Sequence, residues 1–182
     1  MNNLWAPWRN KYITRLISKK EKGCFICKAF KEKGKEKNNL VIHRGQNNFS
    51  MMNLYPYNNG HILICPNKHV NSLRQLNTQE ITDFFDLTFK MKDVLDKLLK
   101  PHGYNIGFNI GNFSGAGIDH IHMHIVPRWK NDTNFMPVVG NTKVISQSIE
   151  ELYNLLIKEN EFSKKCKQSG RKTSSKIRGK KL

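Results

Sequence analysis

Apolar and polar positions alternate along much of the chain in short runs, which is the pattern of β-strands. Four such runs predict strands at Leu40–His43, Asn48–Leu54, His61–Cys65 and Tyr104–Ile110. The segment between the second and third runs, Tyr55–Gly60, contains a proline, two asparagines and a glycine, which are typical turn residues. The second and third strands are therefore expected to form a hairpin.

Three other segments repeat apolar residues every three to four positions, which is the period of a helix with one buried face. They predict helices at Tyr12–Lys20, Ile81–Leu99 and Thr142–Lys158. Asn77 and Glu80 have the spacing of a capping pair just before the middle helix, and Pro101 is expected to end it. Strands that are adjacent along the chain, with helices between and after them, predict an antiparallel α+β fold.

One further predicted strand has histidine at every polar position. His120, His122 and His124 alternate with apolar residues. Because successive side chains of a strand point to opposite faces, this pattern predicts a row of three imidazoles above an apolar layer. Such a row is a solvated sheet face, a metal clip or a catalytic site, since imidazole is an acid, a base, a nucleophile and a metal ligand near neutral pH. The following segment, Pro127–Pro137, is predicted to be irregular.

The positive charge is distributed unevenly over the 182 residues. The net charge is +17, and nine Lys or Arg residues but no acidic residue lie in residues 164–182, so the preceding residues carry +8. We interpret residues 1–162 as one domain and residues 163–182 as a basic, disordered tail, because the tail is almost without apolar residues. The tail is either simply solvated or makes weak contact with nucleic acid or another polyanion. The charge of the domain suits an anionic small molecule.

The sequence contains no segment typical of membrane insertion or secretion. No apolar run approaches the roughly 20 residues that cross a bilayer, and the first residues lack the apolar core of a secretory signal. We therefore expect a cytoplasmic protein with no membrane partner. In that compartment its cysteines are expected to be free thiols or metal ligands. Cys24 and Cys27 are half of a zinc site or a buried pair, and Cys65 is expected in the core.

Together these motifs resemble the histidine triad family of nucleotide-binding hydrolases and transferases. The resemblance rests on His120–Val126, on Gly60–His69 after the predicted hairpin, and on Asn105–Gly111 after a long helix. Two further segments, Leu4–Arg9 and Pro127–Val139, resemble the branch of that family formed by diadenosine tetraphosphate phosphorylases. The resemblance implies a five-stranded antiparallel sheet with flanking helices, paired into a homodimer.

The resemblance also implies a reaction and its catalytic residues. His122 would attack the α-phosphorus of an adenosine polyphosphate and carry an adenylyl group. Its other ring nitrogen would donate its proton to a backbone carbonyl of the glycine-rich loop before the triad. His124 and His61 would donate hydrogen bonds to the α-phosphate. Ser114 would contact a phosphate or protonate the leaving group.

Other residues are implied to bind the substrate. Asn53 would hold the ribose hydroxyls, although an asparagine at this place is also a common turn cap. The glycine-rich loop would cradle phosphate oxygens, unless it is an ordinary connection. Its candidate residues are Asn112, Gly115, Ala116 and Gly117. Candidates for the distal phosphates, each of which is alternatively a solvated surface residue, are Arg9, Lys11, Arg128 and Lys143.

Some relatives complete the pair of cysteines with two histidines. The implied ligand set is Cys24, Cys27, His69 and His120. A closed set of two thiolates and two imidazoles would be a structural zinc site and not a catalytic one. No organic cofactor is expected.

Three functions are compatible with this sequence. The first is an enzyme that splits diadenosine polyphosphates with phosphate as the second acceptor, giving ATP and ADP. The second is a hydrolase of the same fold, with water as the acceptor or a phosphoramidate as the substrate. The third is a nucleotide-binding module without catalysis. The complete histidine set argues against the third function, and residues 127–139 favour the first over the second.

Overall fold

The fold is built on one antiparallel sheet. A computed structural model describes residues 23–111, 114, 118–132, 139–140 and 144–161. The strands are β1 Val41–Arg44, β2 Asn48–Met52, β3 Ile62–Pro66, β4 Gly103–Phe108 and β5 Met123–Arg128. They lie in the order β1-β2-β3-β5-β4, and each neighbouring pair is antiparallel. This arrangement confirms the predicted α+β class and the five-stranded antiparallel sheet.

In the described part of the chain, three α-helices flank the sheet. They are α1 Phe25–Lys31, α2 Thr78–Leu99 and α3, which spans residues 149–161. The capping pair confirms the predicted start of α2: Asn77 Oδ1 accepts the Glu80 N–H, and the Glu80 carboxylate accepts the Asn77 N–H. The helix ends at Lys100, which is left-handed and precedes Pro101. Among the described residues, none of the helices has both the length and the apolar composition needed to cross a membrane.

The first and last helices differ from the prediction. In the described part of the chain α3 begins at residue 149, not at Thr142, because Ser148 Oγ accepts the Glu151 N–H over 3.1 Å and caps the helix there. The seven-residue α1 has no predicted counterpart. The predicted helix Tyr12–Lys20 lies outside the described residues.

Strand β5 also differs from the prediction. It begins at Met123, so two of the three histidines precede it, and it continues through Arg128 into the segment predicted to be irregular. Pro127 is compatible with the strand because it lies beyond Ile125, the last residue of β5 that pairs with β3. Its carbonyl faces the β3 side and accepts a hydrogen bond from Asn58 Nδ2. The N–H that proline lacks would point to the same side, so the ladder with β4 is intact.

The two faces of the sheet are covered by different helices. On one face α2 and α3 bury a core that includes Ile62, Ile64, Phe84, Met91, Leu95, Met123, Ile125 and Leu156. On the other face α1 packs over β1–β3, with Ile26, Ala29, Val41, Phe49, Met51, Leu63 and Cys65 in the cluster. Cys65 is thereby confirmed as a core residue. His124 shares this second face because it is the cross-strand partner of Leu63.

The two edges of the sheet differ as well. Two side chains of α3 donate to carbonyls of β1: Tyr153 Oη to Val41 O over 3.0 Å, and Asn160 Nδ2 to Ile42 O over 3.1 Å. The helix therefore covers this edge. At the opposite edge, the outer side of β4 pairs with no other strand of the described segments, and Ile106 is exposed there.

Candidate active site and metal centre

Two buried histidines form a hydrogen-bonded pair on the sheet face that carries α1. His61 ends the hairpin loop immediately before β3, and His124 is the second residue of the neighbouring strand β5. His61 Nε2 lies 2.8 Å from His124 Nδ1, and the ring centroids are 5.0 Å apart. The two residues are 1% and 8% exposed. The structure thus brings together two of the predicted catalytic residues.

Hydrogen bonding fixes the position of the protons in this pair. The Tyr57 N–H donates to His61 Nδ1 over 3.0 Å, so that nitrogen carries a lone pair in the neutral ring. His61 Nε2–H then donates to His124 Nδ1, which leaves the proton of His124 on Nε2. This Nε2 atom is buried and has no hydrogen-bond partner within the described ranges. Because a buried donor without a partner costs about 1–3 kcal/mol, this N–H is suited to an acceptor that a ligand supplies.

Both rings of the pair are neutral at neutral pH. Burial, with smaller contributions from the neighbouring His124 and His122, lowers the pKa of His61 to about 3. Burial likewise lowers the pKa of His124 to about 4, with a contribution from His122. A low dielectric surrounding disfavours the imidazolium, so the pair donates and accepts hydrogen bonds without carrying charge.

His122 lies beside the pair with its proton on the opposite side. Its ring centroid is 4.9 Å from that of His124. Its Nδ1 donates to the carbonyl oxygen of His120 over 2.7 Å, so Nε2 holds the lone pair in the neutral ring. This is the form that a nucleophile requires. The acceptor was predicted in the glycine-rich loop and is instead the residue two positions before His122.

His120 faces a different site, so the predicted row of three imidazoles is wrong. The alternation of a strand does not apply, because His120 and His122 both precede β5. His120 Nδ1 lies 3.3 Å from Cys24 Sγ and 3.5 Å from Cys27 Sγ. Its Nε2 donates to the carbonyl oxygen of Pro66 over 3.0 Å, which directs the Nδ1 lone pair at the thiols.

A fourth side chain completes this second group. His69 Nδ1 lies 3.2 Å from Cys27 Sγ. The four ligand atoms, one from each of the predicted residues, all lie within 4.8 Å of one another; the residues are Cys24, Cys27, His69 and His120. Two thiols and two imidazole nitrogens at this separation fit a closed tetrahedral metal site. The structure therefore brings the whole predicted ligand set together.

Two further predicted residues are Asn53, which lies beside His61, and Ser114, which lies in the loop before the triad. Asn53 Oδ1 accepts the Tyr55 N–H over 2.9 Å, and Asn53 Nδ2 lies 3.3 Å from His61 Nδ1. Asn53 therefore caps the hairpin turn at the side of the site. Ser114 Oγ donates to the carbonyl oxygen of Gly111 over 2.7 Å, within its own loop. Their contacts with substrate stay predictions.

Arg128 is held by neighbouring side chains. Its Nε and Nη2 donate to the two carboxylate oxygens of Asp132 over 2.6 and 2.7 Å, and its Nη1 donates to Asn105 Oδ1 over 2.6 Å. Its contact with a distal phosphate stays a prediction. The remaining predicted residues lie outside the described residues; they are Arg9, Lys11, Asn112, Gly115, Ala116, Gly117 and Lys143.

Sequence reasoning missed Tyr57, which forms one wall of the histidine pair. Its ring stacks on His124, with centroids 5.4 Å apart and planes at 20°, and its centroid is 4.7 Å from that of His61. Its hydroxyl oxygen accepts a hydrogen bond from Asn109 Nδ2 over 3.2 Å. The residue is 49% exposed, so part of it faces the solvent. The available signal was an aromatic residue within the turn just before His61.

An antiparallel sheet with a histidine pair, an adjoining histidine and a Cys/His group defines a histidine triad protein. The family model described as HIT domain matches residues 33–131, and the chain belongs to this family. This confirms the resemblance on which the site residues were predicted.

Three similar proteins illustrate the range of the family. The chain is 34% identical over 164 residues to a protein named AP-4-A phosphorylase from Mycobacterium tuberculosis (strain CDC 1551 / Oshkosh), covering 87% of this chain and 84% of the relative. It is 35% identical over 92 residues to a bis(5'-nucleosyl)-tetraphosphatase [asymmetrical] from Schizosaccharomyces pombe, covering 50% of each chain. A Zn-bound histidine triad family protein from Mycobacterium smegmatis has the same fold, with a TM-score of 0.62 at 20% identity, covering 79% of this chain and 97% of the other.

Proposed function

We propose that this protein is an enzyme that cleaves diadenosine polyphosphates through an adenylyl group carried on His122, and that phosphate is the second acceptor. With diadenosine tetraphosphate the products are ATP and ADP. The relative named AP-4-A phosphorylase, which matches 87% of the chain, supports this choice.

One observation carries the proposal: the buried Nε2–H of His124, without a partner among the described residues, lies in the ring next to His122. A lone pair on one ring and a hydrogen-bond donor on the adjacent ring are what attack on a phosphorus requires. The nucleophile forms a bond to phosphorus while the donor binds a phosphate oxygen on which negative charge increases.

The reaction has two displacements. His122 Nε2 forms a bond to the α-phosphorus, and the bond from that phosphorus to the bridging oxygen breaks, so ATP leaves. An oxygen of inorganic phosphate then attacks the same phosphorus, the P–N bond breaks, and ADP leaves while His122 recovers its lone pair. Two displacements replace one difficult transfer between anions.

The other residues have supporting roles in this proposal. His124 donates from Nε2 to the α-phosphate, and His61 holds His124 in the required tautomer by donating to its Nδ1. Ser114 contacts phosphate or protonates the leaving oxygen, Asn53 binds the ribose, and Arg128 reaches a distal phosphate by exchanging part of its network with Asp132.

The decisive experiment incubates the full-length protein with diadenosine tetraphosphate, with and without phosphate. ATP plus ADP that appear only with phosphate support the phosphorylase. His122→Ala is expected to abolish turnover. The control is His102→Ala, which removes a histidine that accepts the Lys130 N–H and has no role in the proposed reaction, and it should retain turnover. Full turnover by His122→Ala would falsify the adenylyl-histidine mechanism.

A hydrolase of the same fold is the second candidate, and the matched tetraphosphatase from S. pombe favours it. In that case AMP plus ATP form without phosphate, because water attacks the adenylyl group. Tight nucleotide binding with no turnover under either condition would leave a binding module.

We further propose that the Cys/His group holds a structural zinc ion. Zinc would supply a closed cross-link between the N-terminus of α1, the segment after β3 and the segment before β5, with no open position for substrate. Reduced thiols at Cys24 and Cys27 suit the expected cytoplasmic location. A metal assay well below one zinc ion per chain would remove this part of the proposal.

We also propose a homodimer in which the β4 strands of two copies pair about a twofold axis. The support is the outer side of β4, where the described residues provide no strand partner and Ile106 is 43% exposed. Sedimentation of the full chain should give twice the monomer mass, and Ile106→Lys should give the monomer.

A further inference from the structure

The nucleophile lies in a short segment that the sheet does not hold. Residues 120–122 precede β5, and the first pair between β3 and β5 after them is Ile64 with Met123. The position of His122 therefore depends on contacts other than the ladder of hydrogen bonds between strands.

Those contacts come from the segment that follows β3. His120 Nε2 donates to the carbonyl oxygen of Pro66 over 3.0 Å. The Ile121 N–H donates to the carbonyl oxygen of Val70 over 2.7 Å. Between these two acceptors lies His69, whose Nδ1 belongs to the same ligand group as His120. The segment before β5 is thus attached by two hydrogen bonds to the segment that carries His69.

His120 connects the two sites within one residue. Its ring directs Nδ1 at the thiols of Cys24 and Cys27, while its carbonyl oxygen accepts the Nδ1–H of His122 over 2.7 Å. The peptide that carries this carbonyl is also held by the Ile121 N–H on Val70 O, next to the predicted ligand His69. If the ring of His120 loses its position, the peptide keeps only that one hydrogen bond. The acceptor that keeps the proton on Nδ1 of His122 then moves, and Nε2 is no longer the nitrogen with the lone pair.

We propose that Cys24, Cys27 and His69 are positioning residues for the nucleophile: by seating His120 they fix the carbonyl oxygen that selects the reactive tautomer of His122. This inference rests on the proposed function only where it assigns the attack to His122. Groups that orient a reacting residue in this way typically change activity about 10- to 100-fold.

Cys24→Ser is the most informative variant, because Cys24 is also the N-cap of α1, where its sulfur accepts the Cys27 N–H over 3.4 Å. A serine hydroxyl is a favoured N-cap, so the helix is preserved while a thiolate ligand is removed. The variant is expected to lose bound zinc and to lower kcat roughly 10- to 100-fold with little change in KM. The matched control is Cys166→Ser, which removes a cysteine outside the described residues and should leave zinc content and kcat unchanged.

A second readout does not depend on activity. In the zinc-loaded full-length protein, ¹⁵N spectra of the imidazole rings should show His122 as a single tautomer with its proton on Nδ1. Removal of zinc by a chelator, or the Cys24→Ser change, should produce a mixture of tautomers. The exposed His69→Asn variant provides the same test if Cys24→Ser fails to fold.

The outcomes separate the two proposals. A folded, zinc-free protein that keeps both its kcat and a single Nδ1–H tautomer of His122 would overturn the positioning role. A wild-type protein that cleaves no polyphosphate, yet changes the tautomer of His122 on zinc removal, would contradict the proposed function and support the positioning role.

Discussion

The two sites that meet at residues 120–124 use the same side chain in opposite ways. At the metal centre, the backbone carbonyl of Pro66 accepts a hydrogen bond from Nε2 of His120, which leaves the lone pair on Nδ1. At the histidine pair, the backbone N–H of Tyr57 donates to Nδ1 of His61, so His61 donates from Nε2 to His124, and the N–H left without a partner in the described part of the chain is that of His124 Nε2. A backbone acceptor thus leaves a ring whose lone pair can bind a metal or attack a phosphorus atom. A backbone donor leaves a pair of rings whose outer N–H can bind an anion.

His122 belongs to the first type, although it lies next to the second. Its Nδ1–H donates a hydrogen bond to a carbonyl oxygen, as Nε2–H does in His120. The lone pair on its Nε2 is therefore available beside the N–H of His124. The proposed active site lies where the two kinds of ring meet.

The largest effect is expected from His124→Ala, which removes the outward N–H. The adenylylation rate in a single turnover should fall roughly 100- to 1,000-fold, as for loss of an oxyanion donor. His124→Gln should recover part of the loss because its amide also donates an N–H. An unchanged rate in His124→Ala would show that the Nε2–H of His124 takes no part in the reaction.

Acid should destabilise the fold by protonating His61 and His124. The pKa of His61 is about 3 and that of His124 about 4 in the folded protein, both lowered chiefly by burial, against about 6.5 in an unfolded chain. The unfolded chain therefore binds protons first as the pH falls. The stability that these rings contribute is complete above about pH 6.5 and is lost progressively as the pH falls towards 3, by an amount on the order of a few kcal/mol.

Denaturant unfolding at a series of pH values measures this loss. His61→Asn removes one of the two imidazoles. The free energy of unfolding of this variant should therefore change less than that of the wild type between about pH 6 and about pH 4. The metal site is the same in both proteins, so their difference isolates the histidine pair. Parallel curves for the two proteins would contradict the assignment.

Tyr57 tests whether the aromatic wall supports the donor chain. Tyr57→Ala removes the ring that stacks on His124 and should cost about 0.5–1.5 kcal/mol, measured as lowered kcat/KM or lowered stability. Tyr57→Phe keeps the ring and the backbone N–H and loses only the contact of the hydroxyl with Asn109, so it should behave almost as the wild type. Equal losses in the two variants would assign the effect to the hydroxyl instead.

The smallest effect is expected from Arg128→Gln, away from both histidine groups. The change leaves the Asp132 carboxylate without its bidentate partner and should lower the free energy of unfolding by ~1 kcal/mol. Lys92→Gln, which breaks the more exposed pair with Asp96, is the control and should cost less. A large rise in KM for Arg128→Gln alone would support the predicted contact with a distal phosphate.

Periodicity and capping predicted most of the fold because those signals are local. The hairpin before His61 and the N-terminus of α2 at Asn77 and Glu80 follow from turn and capping chemistry alone. The start of α3 was missed because the apolar period continues upstream of Ser148, and its capping hydroxyl was not given weight. The span of β5 was wrong because the tolerance for Pro127 depends on where the β3 partner ends, which is a tertiary fact.

The site divides in the same way. The resemblance to the histidine triad family implied the four Cys/His ligands, and the structure brings them together. The resemblance also implied that His120 faces the cysteines. The hydrogen bonds that set the tautomers were not predictable, since they depend on backbone groups of Pro66 and Tyr57 that approach from other parts of the chain. Sequence alternation alone assigned all three rings to one face, and only His124 lies within the strand where alternation holds.

The contrast between the two sheet edges limits how far the protein can polymerise. At one end of the sheet α3 donates side-chain hydrogen bonds to β1, so an incoming strand would first have to displace a helix. At the other end, no strand of the described ranges occupies the outer side of β4. Association through strand pairing at that side uses the same edge of both copies and consumes it. In the homodimer that we propose, growth by strand pairing would therefore stop at two chains, whereas two open edges would permit a fibre.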